Sequence, residues 1–185
     1  MILPAFRRRS YGGTIRSLYG AIVAQARSPA FYVAYGVSDT VEGRFELIVL
    51  HLVLVLWRLG RETGVAANVG PEVGQGLFDL FCSDLDDNLR EMGVGDLAVP
   101  RRMRRLGEAF YGRQAAYRSA LAGADPGELE KALGRNIFEV DDVERRAARL
   151  ARYARAATRL LDAGEDEALF AGMVRFPDPE AFADG

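Results

Sequence analysis

Apolar residues recur along most of the chain with the spacing of α-helices. From Ile15 to Ala26 they return every three or four residues, which places them on one buried stripe. The same period predicts four later helices, beginning at Gly70-Pro71, at Pro100, after Asp125 and at about Val143. With the apolar segment described next, the pattern predicts a single compact all-α domain of about six helices.

The most apolar segment runs from Leu47 to Trp57, with His51 as its only polar member. Its 11 residues are far fewer than the roughly 20 that a membrane-spanning helix needs, so we expect a fully buried central helix. Asp39 and Glu42 have the spacing of a capping box, which predicts that this helix begins near Thr40.

Two segments are predicted to lie outside helices. Ser28-Pro29 ends the first helix, because the residue before a proline is driven out of the helical region. The aromatic run Phe31–Tyr35 then predicts an extended segment or a tight turn. Near the end of the chain, the two prolines of Phe176–Pro179 predict a loop.

Composition excludes several classes of protein. The 185 residues carry 24 bases and 26 acids, a formal net charge of -2, and all bases except Lys131 are arginine. One cysteine excludes an internal disulfide and a Cys-rich zinc module, and one histidine excludes a site built from several histidines. The balanced charge argues against a protein that coats nucleic acid.

The balanced total hides an uneven distribution. Residues 72–96 contain seven acids and one base, whereas 101–118 contain six arginines and one acid, and 145–159 contain six arginines and no acid. One interpretation is that these helices pack side by side and exchange weak surface ion pairs. The other is a docking surface for carboxylates or lipid phosphates of a partner. GC-rich coding would also favour arginine, and sequence alone does not separate these causes.

Candidate chemistry is sparse and indicates no catalysis. His51 lies among leucines and valines, which predicts a neutral core histidine; the alternative is a single axial ligand to haem. Cys82 lies on the acidic helix, where carboxylates disfavour a thiolate nucleophile. Asp84, Asp86 and Asp87 lack the spacing of a calcium loop. We therefore expect no enzyme activity, no metal site and no bound cofactor.

Several short motifs occur in a characteristic order. They are Leu18-Tyr19, Phe31-Tyr32, Asp39-Thr-Val-Glu-Gly-Arg-Phe-Glu before Leu50-His51-Leu52, Gly76-Leu-Phe-Asp-Leu-Phe, Asp84-Leu-Asp-Asp-Asn-Leu-Arg-Glu-Met-Gly-Val-Gly-Asp96, Phe110-Tyr111-Gly112-Arg113 and Arg135-Asn136. This series resembles the ubiquinol–cytochrome c chaperone family, assembly factors for the cytochrome b subunit of the respiratory cytochrome bc complex. The bacterial form is the most similar. The resemblance implies an N-terminal arm at 1–13, the chaperone-like domain at 14–177 and a tail at 178–185.

The resemblance implies a non-catalytic chaperone that engages newly made cytochrome b. It also marks eight candidate partner-contact or fold-defining positions: Asp39, Arg44, Asp84, Asp86, Arg90, Glu91, Asp96 and Arg113. The acidic helix suits cationic loops of the client. Arg7-Arg8-Arg9 and the arginine helices suit an anionic membrane surface.

The expected location follows from a difference within the family. Mitochondrial members carry a longer N-terminal region before the domain, whereas this sequence begins almost at the domain. The resemblance therefore implies the bacterial form, a cytoplasmic protein peripherally associated with the inner membrane. The sequence does not indicate whether an accessory subunit is needed. Two alternatives stay open: a helical carrier of an apolar ligand such as haem or quinone, lined by His51, and a regulator whose arginines bind nucleic acid.

Overall fold

Helices account for most of residues 11–61, 69–138 and 143–183, which are the parts of the chain that the computed structural model describes. No strand occurs within these three ranges. Six helices there have 12 or more residues, which confirms the predicted all-α fold and helix number. The elements are α1 Gly12–Ala26, α2 Pro29–Val33, α3 Val41–Leu59, α4 Val69–Glu91, α5 Val99–Ala122, α6 Pro126–Ile137, α7 Val143–Asp162, α8 Asp166–Phe170 and a 3₁₀ helix Pro179–Phe182.

Helix α3 is the centre of the fold, as its apolar sequence predicts. Every residue from Glu46 to Val55 is buried. Helices α1, α4, α5, α6 and α7 all pack against it. The other long helices each place one apolar stripe on this core, as α7 does with Leu150 and Ala154, both fully buried. Residues 46–55 of α3 are therefore positioned by neighbours on all sides.

The cap of α3 differs by one residue from the predicted capping box. Helix α3 does begin next to Thr40, but the Thr40 hydroxyl is the cap and accepts from the Gly43 backbone N–H at 3.1 Å. Asp39 instead accepts from the Arg44 side chain at 2.7 Å. The hydroxyl serves as the cap because Thr40 has the extended backbone of an N-cap residue.

The prediction of an extended segment or tight turn at Phe31–Tyr35 is wrong for its first half. Pro29 opens the short helix α2, since proline fixes the backbone angle that a first helical residue needs. The helical turn directs Phe31 into the core with Tyr35, and both side chains are fully buried. The Tyr35 hydroxyl donates to the Pro179 carbonyl at 2.8 Å, which fastens the C-terminal 3₁₀ helix to the core.

Two helix ends agree with the signals in their sequences, and two short helices besides α2 were not predicted. Gly93 terminates α4 with a positive φ of 79°, which favours glycine. Asp125 caps α6 by accepting from the Gly127 N–H at 2.8 Å. The unpredicted elements are α8 and the 3₁₀ helix, each of five residues or fewer, too short to show a helical period.

Candidate functional site

The eight positions from the sequence motifs do not form one cluster. Asp39 and Arg44 form an ion pair of 2.7 Å at the start of α3, and both side chains are 56% exposed. The Arg44 guanidinium holds the pKa of the Asp39 carboxyl below its usual value through this hydrogen bond. Exposed on the surface, this pair contributes little to folding, and it is accessible to a partner.

A second group lies where α4 ends. Arg90 binds two carboxylates, Asp86 at 2.6 Å on the previous helical turn and Asp96 at 2.5 Å in the following turn. The guanidinium therefore connects the helix to the loop that Gly93 begins. Glu91, next to Arg90, is exposed and forms no ion pair within the described ranges.

The remaining two positions contact neighbouring helices. Asp84 accepts from the Tyr19 hydroxyl at 2.8 Å, which joins α4 to α1. Burial, followed by the hydrogen bond to Asp84, raises the pKa of Tyr19, so this hydroxyl stays a donor. Arg113 on α5 binds Glu46 on α3 through two bonds of 2.5 Å, with the Glu46 side chain only 9% exposed. Both interactions stabilise the packing of helices.

The acidic character of α4 is presented to solvent. Four of its acids are exposed: Glu72, Asp79, Asp87 and Glu91. Among residues 69–138, no ion pair joins an acid of α4 to an arginine of α5. The interpretation in which the acidic helix exchanges ion pairs with the arginine helix beside it therefore finds no support among these residues, and α4 keeps an acidic outer surface.

The arginines of α7 bind main-chain carbonyls on neighbouring segments. Arg149 donates to the Ala34 carbonyl at the end of α2, and its guanidinium lies 5.9 Å from the centre of the Tyr35 ring. Arg155 donates to the Pro126 carbonyl at 3.3 Å. Ala34 follows the last residue of α2, where helix carbonyls carry a partial negative charge, whereas Pro126 is the first residue of α6. These arginines therefore have a structural use.

An apolar groove lies at the bend between α7 and α8, and the sequence motifs did not indicate it. Leu161 and Leu169 form its floor, while Leu160 is 41% exposed and Met173 is 63% exposed on its walls. Its volume is about 370 Å³. Glu165 and Arg175 contribute charge at the rim, so the groove offers apolar contact inside and charge complementarity at its edge.

A buried arginine from the central helix holds this bend in place. Arg58 is 7% exposed, and its guanidinium donates to the Leu161 carbonyl at 3.0 Å and to the Gly164 carbonyl at 3.1 Å. It also forms an ion pair with Asp166 on α8. One side chain thus satisfies carbonyls that end α7 and positions the first turn of α8. In the sequence, the only indication of this role was the position of Arg58 directly after the apolar run.

The chain matches the family model described as ubiquinol-cytochrome C chaperone over residues 33–176. It belongs to the ubiquinol-cytochrome C chaperone family. A solved structure, the Cbp3 homolog from Brucella abortus, is 38% identical, with a TM-score of 0.80 over 97% of this chain and 98% of that chain. A search of curated proteins found no match. The family suggested by the ordered motifs is thereby confirmed.

In this member of the ubiquinol-cytochrome C chaperone family, His51 is a fully buried core residue. Its Nδ1–H donates to the Leu47 carbonyl at 2.7 Å, and its Nε2 accepts from the Tyr153 hydroxyl at 2.8 Å. The Tyr153 oxygen in turn accepts from the Gln25 amide at 2.9 Å. Burial lowers the pKa of His51 to about 4, so the ring is neutral at pH 7. Haem ligation would break one of these bonds.

The other candidate chemistry gains no geometric support. Burial, and then Asp79, raises the pKa of the Cys82 thiol, which favours the unreactive protonated form. Within the described ranges, no three His, Cys, Asp or Glu side chains come together as a possible metal site.

No described helix combines the length and hydropathy that crossing a bilayer requires. Arg7-Arg8-Arg9 lie outside the described residues.

Proposed function

We propose that this chaperone binds newly made cytochrome b and promotes its assembly into the respiratory cytochrome bc complex, without catalysing a reaction. The observation that carries this proposal is the open apolar groove between α7 and α8, in a chain whose family is described as chaperones of ubiquinol–cytochrome c. A groove with exposed apolar walls suits the transient masking of an apolar segment.

The groove can take an apolar side chain or two from a client helix. Leu160 and Met173 present apolar surface on its walls, and Met173 has the flexible, polarisable side chain found at adaptable binding surfaces. Its floor is fixed because Leu161 and Leu169 are buried in the domain core. A groove with a fixed floor and adaptable walls suits an unassembled client, whose apolar segments are still exposed because the other subunits have not yet bound.

The acidic outer surface of α4 supplies a second kind of contact. Cytoplasmic loops of membrane proteins carry excess lysine and arginine, so Asp79 and Asp87 would attract the loops of such a client. Among the motif positions, Glu91, Asp39 and Arg44 are favoured as partner contacts, because Glu91 is exposed with no ion pair among the described residues and the exposed Asp39 and Arg44 pair only with each other. The remaining motif positions stay candidates for contact, but each already joins parts of the fold: Asp84, Asp86, Arg90, Asp96 and Arg113.

The proposed location is the cytoplasmic face of a bacterial inner membrane, with peripheral attachment. Support comes from the 38% identity to a bacterial protein over nearly the whole chain and from the exposed arginines on α5. A client that inserts into the membrane during synthesis would be met at this surface. Basic side chains near an anionic leaflet favour such attachment.

The proposal is tested by capture of cytochrome b from detergent-solubilised membranes of the native organism. We expect the wild-type protein to recover cytochrome b and the double variant Leu160→Asp, Met173→Asp to recover far less, because carboxylates in the groove oppose an apolar client. Val33→Asp is the matched control, since Val33 is 85% exposed and lies at the end of α2, away from the groove residues and from the proposed contact positions. Equal recovery by the groove variant would refute the groove, and no recovery by the wild type would refute the client.

A further inference from the structure

The turn between α4 and α5 carries the most exposed large apolar side chain within the described ranges. Leu97 is 99% exposed, and Met92, at the other side of the same turn, is 51% exposed. Single exposed apolar residues are common on protein surfaces. A fully exposed leucine beside a second exposed apolar residue indicates a binding surface when the charged residues on the same face are mostly of one sign.

Leu97 shares a face with the first arginines of α5. The backbone already turns helically before α5, because the N–H groups of Ala98 and Val99 both bond to the Gly95 carbonyl, at 2.7 and 3.3 Å. Extending the helical rotation of about 100° per residue back from α5 places Leu97 on the same side as three exposed arginines. They are Arg101, Arg104 and Arg105.

The opposite face of α5 is the one that packs on the core. Val99 and Phe110 point there, and each is only 1% exposed. The side that carries Leu97 therefore points away from the domain, with nothing of the described chain covering it. This orientation makes the leucine and the arginines accessible to a flat surface at the same time.

The charge on this face is positive. Within the described ranges, Arg101 and Arg105 form no ion pair, and Arg104 approaches Glu108 only to 4.0 Å. Asp96, adjacent to Leu97, is paired at 2.5 Å with Arg90, which also binds Asp86. Leu97 thus shares its face with three exposed arginines, Arg101, Arg104 and Arg105, against two acids, Glu108 and the ion-paired Asp96.

We propose that this surface, defined by Leu97, Arg101, Arg104 and Arg105 and called the α5 tip, docks on an anionic lipid bilayer. Leu97 would enter the boundary between headgroups and acyl chains, while the guanidinium groups pair with lipid phosphates. An apolar tip bordered by basic side chains is the pattern of proteins that lie on a membrane surface. A nucleic acid would use the arginines but has no role for the leucine. The α5 tip rests on the proposed function, because it assigns the membrane association proposed there to one surface.

The test is flotation of the full chain with vesicles of phosphatidylcholine, with and without phosphatidylglycerol. We expect binding only to the anionic vesicles. Leu97→Asp and the pair Arg101→Glu, Arg105→Glu should each weaken partitioning, the pair by at least tenfold, because each basic charge near such a surface contributes several-fold. The matched controls are Val41→Asp and Arg16→Glu, which alter exposed residues on other helices and should bind like the wild type.

Each other outcome overturns the proposal. Equal binding by the α5-tip variants and wild type, equal binding to neutral vesicles, or no vesicle binding would refute membrane docking. Salt-sensitive binding of duplex DNA, unchanged by Leu97→Asp but lost in the arginine pair, would reassign the α5 tip to nucleic acid. Capture of cytochrome b in detergent involves no bilayer. Leu97→Asp should therefore still capture cytochrome b. The membrane-docking proposal and the client proposal can thus each be refuted without refuting the other.

Discussion

His51 makes the stability of this domain depend on pH, and its contribution can be separated from those of other groups by replacing this one residue. The ring is fully buried and its pKa falls from 6.5 to about 4 in the folded protein. A folded-state pKa below the unfolded value means that the unfolded chain binds the proton more readily. The contribution of the neutral ring is therefore fully present above pH 6.5 and is lost as pH falls towards 4.

The magnitude follows from proton linkage. Between these two pKa values the unfolding free energy changes by about 1.4 kcal/mol per pH unit. From pH 7 to pH 5, His51 alone should cost about 2 kcal/mol, since its titration in the unfolded chain begins only near pH 6.5. Because the chain has one histidine, no second imidazole titrates in this window.

The assay is urea unfolding at pH 7, 6 and 5, comparing wild type with His51→Gln. Glutamine can donate to the Leu47 carbonyl and accept from the Tyr153 hydroxyl, as His51 does, but it does not titrate. We expect the wild type to lose about 2 kcal/mol more than the variant on going to pH 5. Equal losses in both proteins would show that His51 is not a buried neutral ring.

Three further perturbations test the packing. Arg113→Ala should destabilise by about 3 kcal/mol in urea unfolding, because it leaves the buried Glu46 carboxylate without its partner. Burial already raises the pKa of Glu46, so the variant should also lose more stability than wild type as pH rises above 5. Gly43→Ala should lower the thermal midpoint, since the new methyl group would overlap the Ser38 carbonyl oxygen; an unchanged midpoint would contradict the close approach of Ser38 to the start of α3. Leu50→Asp should abolish folding by circular dichroism, and a soluble helical variant would refute the buried position of α3.

The helices were predictable because their signals are local. The period of apolar residues, Asp125 before Pro126 and Gly93 after α4 each act within a few residues of the chain. The ion pair of Arg90 with Asp86 is likewise one helical turn apart, and its spacing is visible in the sequence. Aromatic density was the misleading signal at α2, where a helix buries side chains that resemble a strand in sequence.

The groove was not predictable, because it depends on contacts between distant parts of the chain. Arg58 positions the bend through Leu161, Gly164 and Asp166, all more than 100 residues further along. Glu46 and Arg113 are similarly separated by 67 residues. Motifs identified the family from residue identities alone, but they did not reveal which positions stay free for a partner.

Assembly of the cytochrome bc complex is the central role proposed for this chain, and deletion of the gene in the native organism tests it most directly. Haem b and ubiquinol–cytochrome c reductase activity are measured in membranes of the deletion strain complemented with wild type, Leu160→Asp with Met173→Asp, or Val33→Asp. We expect loss of both signals on deletion, recovery with wild type and Val33→Asp, and poor recovery with the groove variant. Unchanged haem b and activity in the deletion strain would contradict the proposed role.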